Sequence, residues 1–310
     1  TSISLDQEAQ RYTLKGLTAR SHLQGSLLPA PMIVDLKSDI VADVKQQQHQ
    51  LDNVKLAIDY QDPSLTAPAK LELSANINAN LQQQVVTIKA LQLNSSYPQK
   101  DLKAPATAKI QGDISANLAT QLWQIPNLAL EASYPAANLS APATLKLTAN
   151  SEANLQQQLI KLSALKMTAS YPDAARPSPI TADITGAVNA NLASGAVDFA
   201  PLDLQAKLSD KSFKKEMPIH LVAPISANWK EGKIALNGFD LKALAINTKG
   251  QLQINLPALA STAAVKPAVT QGMSITGNIV TSPFNLRQLM QDVGMAVPVT
   301  KNASTLQNIS

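Results

Sequence analysis

The residues of this chain that could carry acid–base or metal chemistry are few and scattered. His22, His49 and His220 stand alone, with no second ligand at a metal-binding spacing. Asp198, Asp203, Asp210, Glu216, Glu231 and Asp240 occupy polar positions of the second half. Glycoside chemistry needs two carboxyls converging in a cleft, and their scattered spacing gives no ground for such a pair. No phosphate-cradling glycine loop and no Gly-x-Ser-x-Gly elbow occurs. The absence of cysteine excludes disulfides and thiolate metal centres. Lys211, Lys214 and Lys215 read as a solvated turn, because a nucleic-acid site wants a denser basic stripe with stacking aromatics. The expectation is no catalytic residue, no metal, no cofactor and no nucleic-acid partner.

What the chain does contain is a repeat. The pentapeptide INANL at 77–81 returns as ISANL at 114–118, SEANL at 151–155, VNANL at 188–192 and ISANW at 225–229, each 37 residues after the last. Tyr60, Tyr97, Tyr134 and Tyr171 keep the same spacing, as do Pro31, Pro68, Pro105, Pro142 and Pro179. Such a period decides the architecture before any single motif does. Within one unit, KLELSANINANL alternates apolar and polar residues, the pattern of a strand with one apolar and one wet face. Its dozen residues span roughly 40 Å. QQQ is a polar reversal, VVTIKALQLNSSYP a second long strand, and the proline-bearing segment leads into the next unit. The prediction is an all-β fold, a long antiparallel meander of 37-residue hairpins curled into an elongated open groove.

Each return strand changes parity once. Val86 and Ile88 share one parity, and Leu91, Leu93 and Tyr97 the other. A strand that keeps one face apolar through such a slip needs an extra residue, a β-bulge. The slip falls at Gly16, Asn53, Ala90, Asn127, Ala164, Pro201 and Gly238. Two apolar-face columns hold small residues: Ser38, Ala75, Gly112, Ala149, Gly186 and Ala223, then Ala42, Ala79, Ala116, Ala153, Ala190 and Ala227. They serve either close packing or an open trough. The Ser-Tyr-Pro tyrosines are read as closing the hairpin ends with buried rings. The Asn80, Asn117, Asn154, Asn191 and Asn228 column is read as serving solubility and edge protection.

A half-apolar sheet must bury its face against another layer. Only SPFNLRQLMQDVG reads as a helix, with Ser282 as cap, Pro283 in the first turn and Gly294 as stop. Phe284, Leu286, Leu289, Met290 and Val293 are its apolar residues, placed at one end of the groove. The predicted lining comprises Leu71, Leu73, Ala75, Ile77, Ala79, Leu81, Ile88, Leu91 and Leu93 in one repeat. Ile110, Ile114, Ala116, Leu118, Trp123, Ile125, Leu128 and Leu130 follow, then Leu145, Leu147, Leu155, Ile160, Leu162, Leu165 and Met167. Ile184, Val188, Leu192, Leu202, Leu204, Ile225 and Trp229 complete it. A continuous apolar surface far above a few hundred Å² marks a binding site, and acyl chains are its natural filling.

From Gly272, GMSITGNIVTSPFNLRQLMQDVGMAVPVT resembles the AsmA family of Gram-negative envelope proteins. Pro283, Phe284, Arg287, Leu289, Met290, Val293, Gly294, Pro298 and Thr300 carry the resemblance. Met290 and Val293 stand where the family usually has Leu. The resemblance implies a periplasmic β-groove, held to the inner membrane by an anchor outside this segment, that helps move phospholipid towards the outer membrane. The strict 37-residue register departs from the family pattern.

The domain reading is a repeat meander at 1–256, an insertion at 257–271, and a last strand, helix and tail at 272–310. A chain beginning at Thr1 and stopping at STLQNIS reads as a segment of a longer protein. Three functions compete: a lipid-binding groove in a periplasmic conduit, a structural spacer that self-associates through its apolar face, and an envelope-protein chaperone.

Overall fold

Alternating polarity over a dozen residues produces strands of that length in the computed structural model, which describes residues 1–25, 30–256, 273–302, 304–307 and 309. Contacts divide the chain into two units, Thr1–Gln156 and Gln157–Ser310. The first holds β1 (Ser2–Asp6), β2 (Arg11–Leu23), β3 (Met32–Asp43), β4 (Gln48–Tyr60), β5 (Ala69–Asn80), β6 (Val85–Tyr97), β7 (Ala106–Asn117), β8 (Leu122–Tyr134) and β9 (Ala143–Asn154). The second holds β10 (Leu159–Tyr171), β11 (Ile180–Asn191), β12 (Ala196–Leu208), β13 (Met217–Asn228), β14 (Lys233–Ala243), β15 (Ile246–Asn255), β16 (Ser274–Thr281) and the helix α1 (Leu286–Asp292). Within each unit every strand pairs antiparallel with its successor, and the last does not return to the first. The fold is thus an all-β, open antiparallel meander with one short helix. The insertion read at 257–271 lies outside the described residues.

The bulges fall where the parity changes. Outgoing strands such as β5 and β7 have 12 residues and return strands such as β6 and β8 have 13. The extra residue is the bulge, marked by register shifts at Ile88/Leu91, Ile125/Leu128 and Leu162/Leu165. Gly16, Asn53, Ala90, Asn127, Ala164 and Gly238 all take left-handed φ between 51° and 75°. In the first unit a side chain of the next strand holds each one. The N–H groups of Gly16, Asn53, Ala90 and Asn127 donate to Oδ1 of Asp39, Asn76, Asp113 and Asn150 at 2.7, 2.8, 2.8 and 3.1 Å. The Gly16 N–H, and then the Asn53 amide, hold the Asp39 carboxyl below the usual carboxylate range. In the second unit that column becomes Ala187 and Pro224, which offer no side-chain acceptor.

Pro201 differs from the other bulge residues. The register still shifts between Phe199 and Leu202, but the proline ring fixes φ near −65° and forbids the left-handed form. Crowding moves across the strand pair instead: a Cβ on Gly186 would lie 2.6 Å from the Pro201 carbonyl oxygen.

At the short-turn end the asparagine column has a different role from the one predicted. Asn80, Asn117, Asn191 and Asn228 accept N–H groups three residues ahead, from Gln83, Thr120, Ser194 and Glu231, at 2.8 to 3.1 Å. Asp6 and Asp43 do the same for Ala9 and Gln46. Each turn then ends on a left-handed residue, such as Gln47, Gln84 or Gln121. Its carbonyl accepts the N–H of Leu81, Leu118 or Leu155 in the following turn, at 2.9, 2.8 and 3.0 Å. The amides therefore build the turns and help stack them. Asn117→Ala should lower stability by about 1 kcal/mol, read as a shift in the denaturant midpoint at constant slope.

At the other end the long loops stack. The Thr66 and Lys103 N–H groups donate to the carbonyls of Pro98 and Pro135, both at 3.0 Å. Leu65, Leu139, Pro98 and Pro135 are buried there, and Leu139 is the one large side chain fully buried among the described residues. The tyrosines do not bury their rings as predicted. Tyr97, Tyr134 and Tyr171 remain exposed, because leucine and proline already fill the interior of the loops.

Helix α1 is shorter than predicted, and its cap is Asn285, whose side chain accepts the Gln288 N–H. Ser282 lies too far upstream to cap it. The helix docks on the loop between β12 and β13. Lys214 N donates to the Asp292 carbonyl at 3.0 Å, and Lys215 Nζ lies 2.8 Å from Asp292 Oδ2. The lysine cluster is therefore not merely a solvated turn, since Lys215 holds the helix. Lys215, and then the Gln288 amide, keep the buried Asp292 carboxyl below its usual range. A lowered folded-state pKa stabilises docking fully above the unfolded value of about 3.9 and loses it as pH falls through the folded value. Hydrogen exchange of residues 286–292, corrected for intrinsic rate, should therefore accelerate selectively at acid pH. Asp292→Asn should remove that pH dependence.

Candidate functional site

Pairing registers assemble the apolar residues into rows crossing the strands. In the first unit Ala19, Leu36, Leu56, Leu73, Leu93, Ile110, Leu130 and Leu147 are successive partners from β2 to β9. A second row runs Ile3, Leu14, Ile40, Leu51, Ile77, Ile88 and Ile114. In the second unit Leu162, Val188, Phe199, Ile225, Leu236 and Leu252 form one row. Met167, Ile184, Leu204, Leu221 and Leu241 form another.

No strand or helix among the described residues lies on these rows. Among the described residues each strand contacts only the neighbours it pairs with in its unit, and α1 makes no comparable contact with any strand. Leu73, Leu93, Ile110, Leu130 and Leu147 are accordingly half-buried, as are Leu71, Ile77, Leu91, Ile125, Leu128, Leu145, Ile160, Leu165 and Leu202. Side contacts within the row cover part of each residue, and its outer surface stays open. Phe284, Leu286, Leu289, Met290 and Val293 are half-buried around α1 rather than on the sheet.

Two members of the predicted lining are corrected. Ala75 and Ala116 are buried, at 5% and 1% exposure, and present almost nothing to a ligand. Ala75 faces Val54 just past the bulge, Ala149 faces Leu128 and Ala223 faces Leu202. The bulge presses a large side chain against each small one, so this column serves close packing. At Gly112, opposite Leu91, an added Cβ would lie 3.2 Å from Ile125 Cγ2.

Leu81, Leu118, Leu155, Leu192 and Trp229 lie in the turns just beyond the strand ends. In the first unit Val44, Leu81, Leu118 and Leu155 are 46–52% exposed at the short-turn end, and in the second Leu192 and Trp229 are 41% and 44% exposed. Trp123, between Ala116 and Ala153, is also exposed. Members that the lining prediction omitted include Ile3, Leu14, Ile40, Leu51 and Leu56; the same column arithmetic finds them.

Open clefts lie on the wet face. A cleft of about 480 Å³ is lined by Lys70, Glu72, Asn94, Lys109, Glu131 and Lys146, among others. A second of the same size involves Arg20, Asp35, Lys37, Lys55 and Glu72. Their charges pair across strands: Arg20 grips Asp35 through two hydrogen bonds of 2.6 and 2.8 Å, and Lys146 lies 3.4 Å from Glu131. The hydrogen bonds between Arg20 and Asp35 raise the Arg20 pKa and lower that of Asp35. His220 Nε2 meets Asp203 Oδ1 at 3.0 Å. Among the described residues no three metal-capable side chains converge, and no helix is long and apolar enough to cross a membrane. No family model, curated protein or solved structure matches the chain.

Proposed function

We propose that the chain is a non-enzymatic lipid-binding β-sheet segment, whose apolar rows hold the acyl chains of phospholipid. The supporting observation is an apolar face that, in each unit, runs strand after strand with no covering layer among the described residues. Leaving so much aliphatic surface against water is costly, at roughly 25 cal/mol per Å², and acyl chains match its length and its lack of polar anchor points. The wet-face clefts, lined by paired charges, suit hydration and sheet stability rather than an apolar guest. Together with the AsmA-like Pro283–Thr300 stretch, this reading makes the chain part of a periplasmic phospholipid bridge between inner and outer membranes, held at the inner membrane.

The test is native mass spectrometry of the purified protein, followed by solvent extraction and lipid analysis. Co-purified phospholipid, or uptake of a fluorescent acyl-chain phospholipid from vesicles, is the expected result. A lipid-free protein that takes up none, with its apolar face protected in a self-assembly, would replace this reading with the spacer.

A further inference from the structure

Strand β16 is an open edge with an unusual composition. All four of its neighbouring or internal large apolar residues are exposed: Met273, Ile275, Ile279 and Val280 stand at 61, 56, 55 and 71%. The strand SITGNIVT has no charge and no proline. Inward charges, lysines and prolines are the usual devices that keep a sheet edge from pairing with another chain. One side of β16 pairs with β15, with Ile275 opposite Ile254 and Ile279 opposite Gly250. Its other side carries no strand among the described residues.

We propose that β16 pairs antiparallel with β16 of a second copy of this chain, forming a two-fold dimer centred on Gly277. The sequence around that glycine is self-complementary. An antiparallel pair centred there sets Ile275 opposite the partner copy's Ile279, and Ile279 opposite its Ile275. Thr276 and Asn278 face each other in the same way on the polar side. Both isoleucines continue existing apolar rows, since Ile275 follows Ile254 and Ile234, and Ile279 follows Gly250 and Phe239. The dimer would therefore carry the apolar face from one copy into the next with no change of side. Gly277 suits the centre because it has no Cβ. It already approaches the Gln251 carbonyl so closely that a Cβ there would collide with it. An isologous contact closes at two copies, whereas β16 against the β1 edge of another copy would propagate. The proposal is independent of the lipid reading, because it concerns an edge and not a face.

The chain has no cysteine, so introduced thiols report without background. The variant Thr276→Cys/Asn278→Cys should form a covalent dimer under mild oxidation, and native mass spectrometry of the unaltered chain should give two copies. Ile275→Lys/Ile279→Lys should reduce dimer at least tenfold, and Ile3→Lys/Leu5→Lys on β1 should leave it intact. A monomer at ~100 μM with no crosslink overturns the proposal, as does a ladder of higher species abolished by the β1 variant. The crosslink reads the register even where the lysine variant loosens β16, and lipid content, measured separately, bears only on the proposed function.

Discussion

Replacing Leu73, Leu93 and Leu130 together with glutamate is expected to cut bound phospholipid at least tenfold while leaving the sheet folded. The three belong to one row, linked through Ile110, and each has its outer surface open. A carboxylate there keeps its outer end in water when no lipid is bound, so folding loses only side contacts within the row and the repulsion between the opposed positions 73 and 93. An acyl chain laid along the row would have to desolvate all three charges, at several kcal/mol each without compensation. A tenfold loss needs only about 1.4 kcal/mol. Ala116 is unsuitable for the same test, because at 1% exposure a glutamate would disrupt packing before it could report on a ligand. The control places equal charge on the opposite face, as Gln92→Glu/Gln111→Glu/Thr148→Glu, and should bind lipid normally. Equal lipid in both folded triple variants would remove the apolar rows from the mechanism.

Much of this architecture is legible in the sequence because alternation is a two-valued signal. A parity change at Ala90 or Asn127 has no explanation in a one-sided strand except an inserted residue, and both positions are left-handed bulges. Where a residue's role depends on what lies beside it, the column alone is silent. Asn80 is polar by parity whether it faces water or caps a turn, and only the 2.8 Å contact with the Gln83 N–H separates the two. Ala75 is small whether it opens a trough or admits Val54, and only its burial decides. Ser282 and Asn285 are both competent acceptors by sequence, and only the contact of the Asn285 side chain with the Gln288 N–H identifies the cap. The wet-face clefts have no counterpart in sequence spacing, because they form from long side chains on neighbouring strands.

The bulge itself supports the second large expectation: deleting Ala90 should leave the first unit folded in the same register at a cost of about 1 kcal/mol, whereas Ala90→Gly should stabilise it. Without Ala90, β6 has the length of its outgoing partners, and its apolar and polar residues alternate without interruption. Val86, Ile88, Leu91 and Leu93 all stay on the apolar face, with Thr87, Lys89 and Gln92 on the other. Leu91 against Gly112 and Leu93 against Ile110 are kept while Ile88 stays against Ile114, and what is lost is the bend and the N–H contact with Asp113. At roughly 2–4 °C per kcal/mol for a unit of this size, the midpoint should fall by about 3 °C. Glycine has the opposite sign. Alanine at φ 52° carries a left-handed penalty of roughly 1–2 kcal/mol, which glycine removes at an entropic cost of about 0.5–1 kcal/mol. The N–H that Asp113 accepts at 2.8 Å is retained. A net gain of about 0.5–1 kcal/mol should appear as a rise of roughly 2 °C in thermal unfolding. Opposite signs would separate the bend and the Asp113 contact, which only the deletion loses, from the left-handed backbone strain, which both changes relieve. A deletion that costs more than about 3 kcal/mol would mean that the neighbouring strands depend on the bend at Ala90.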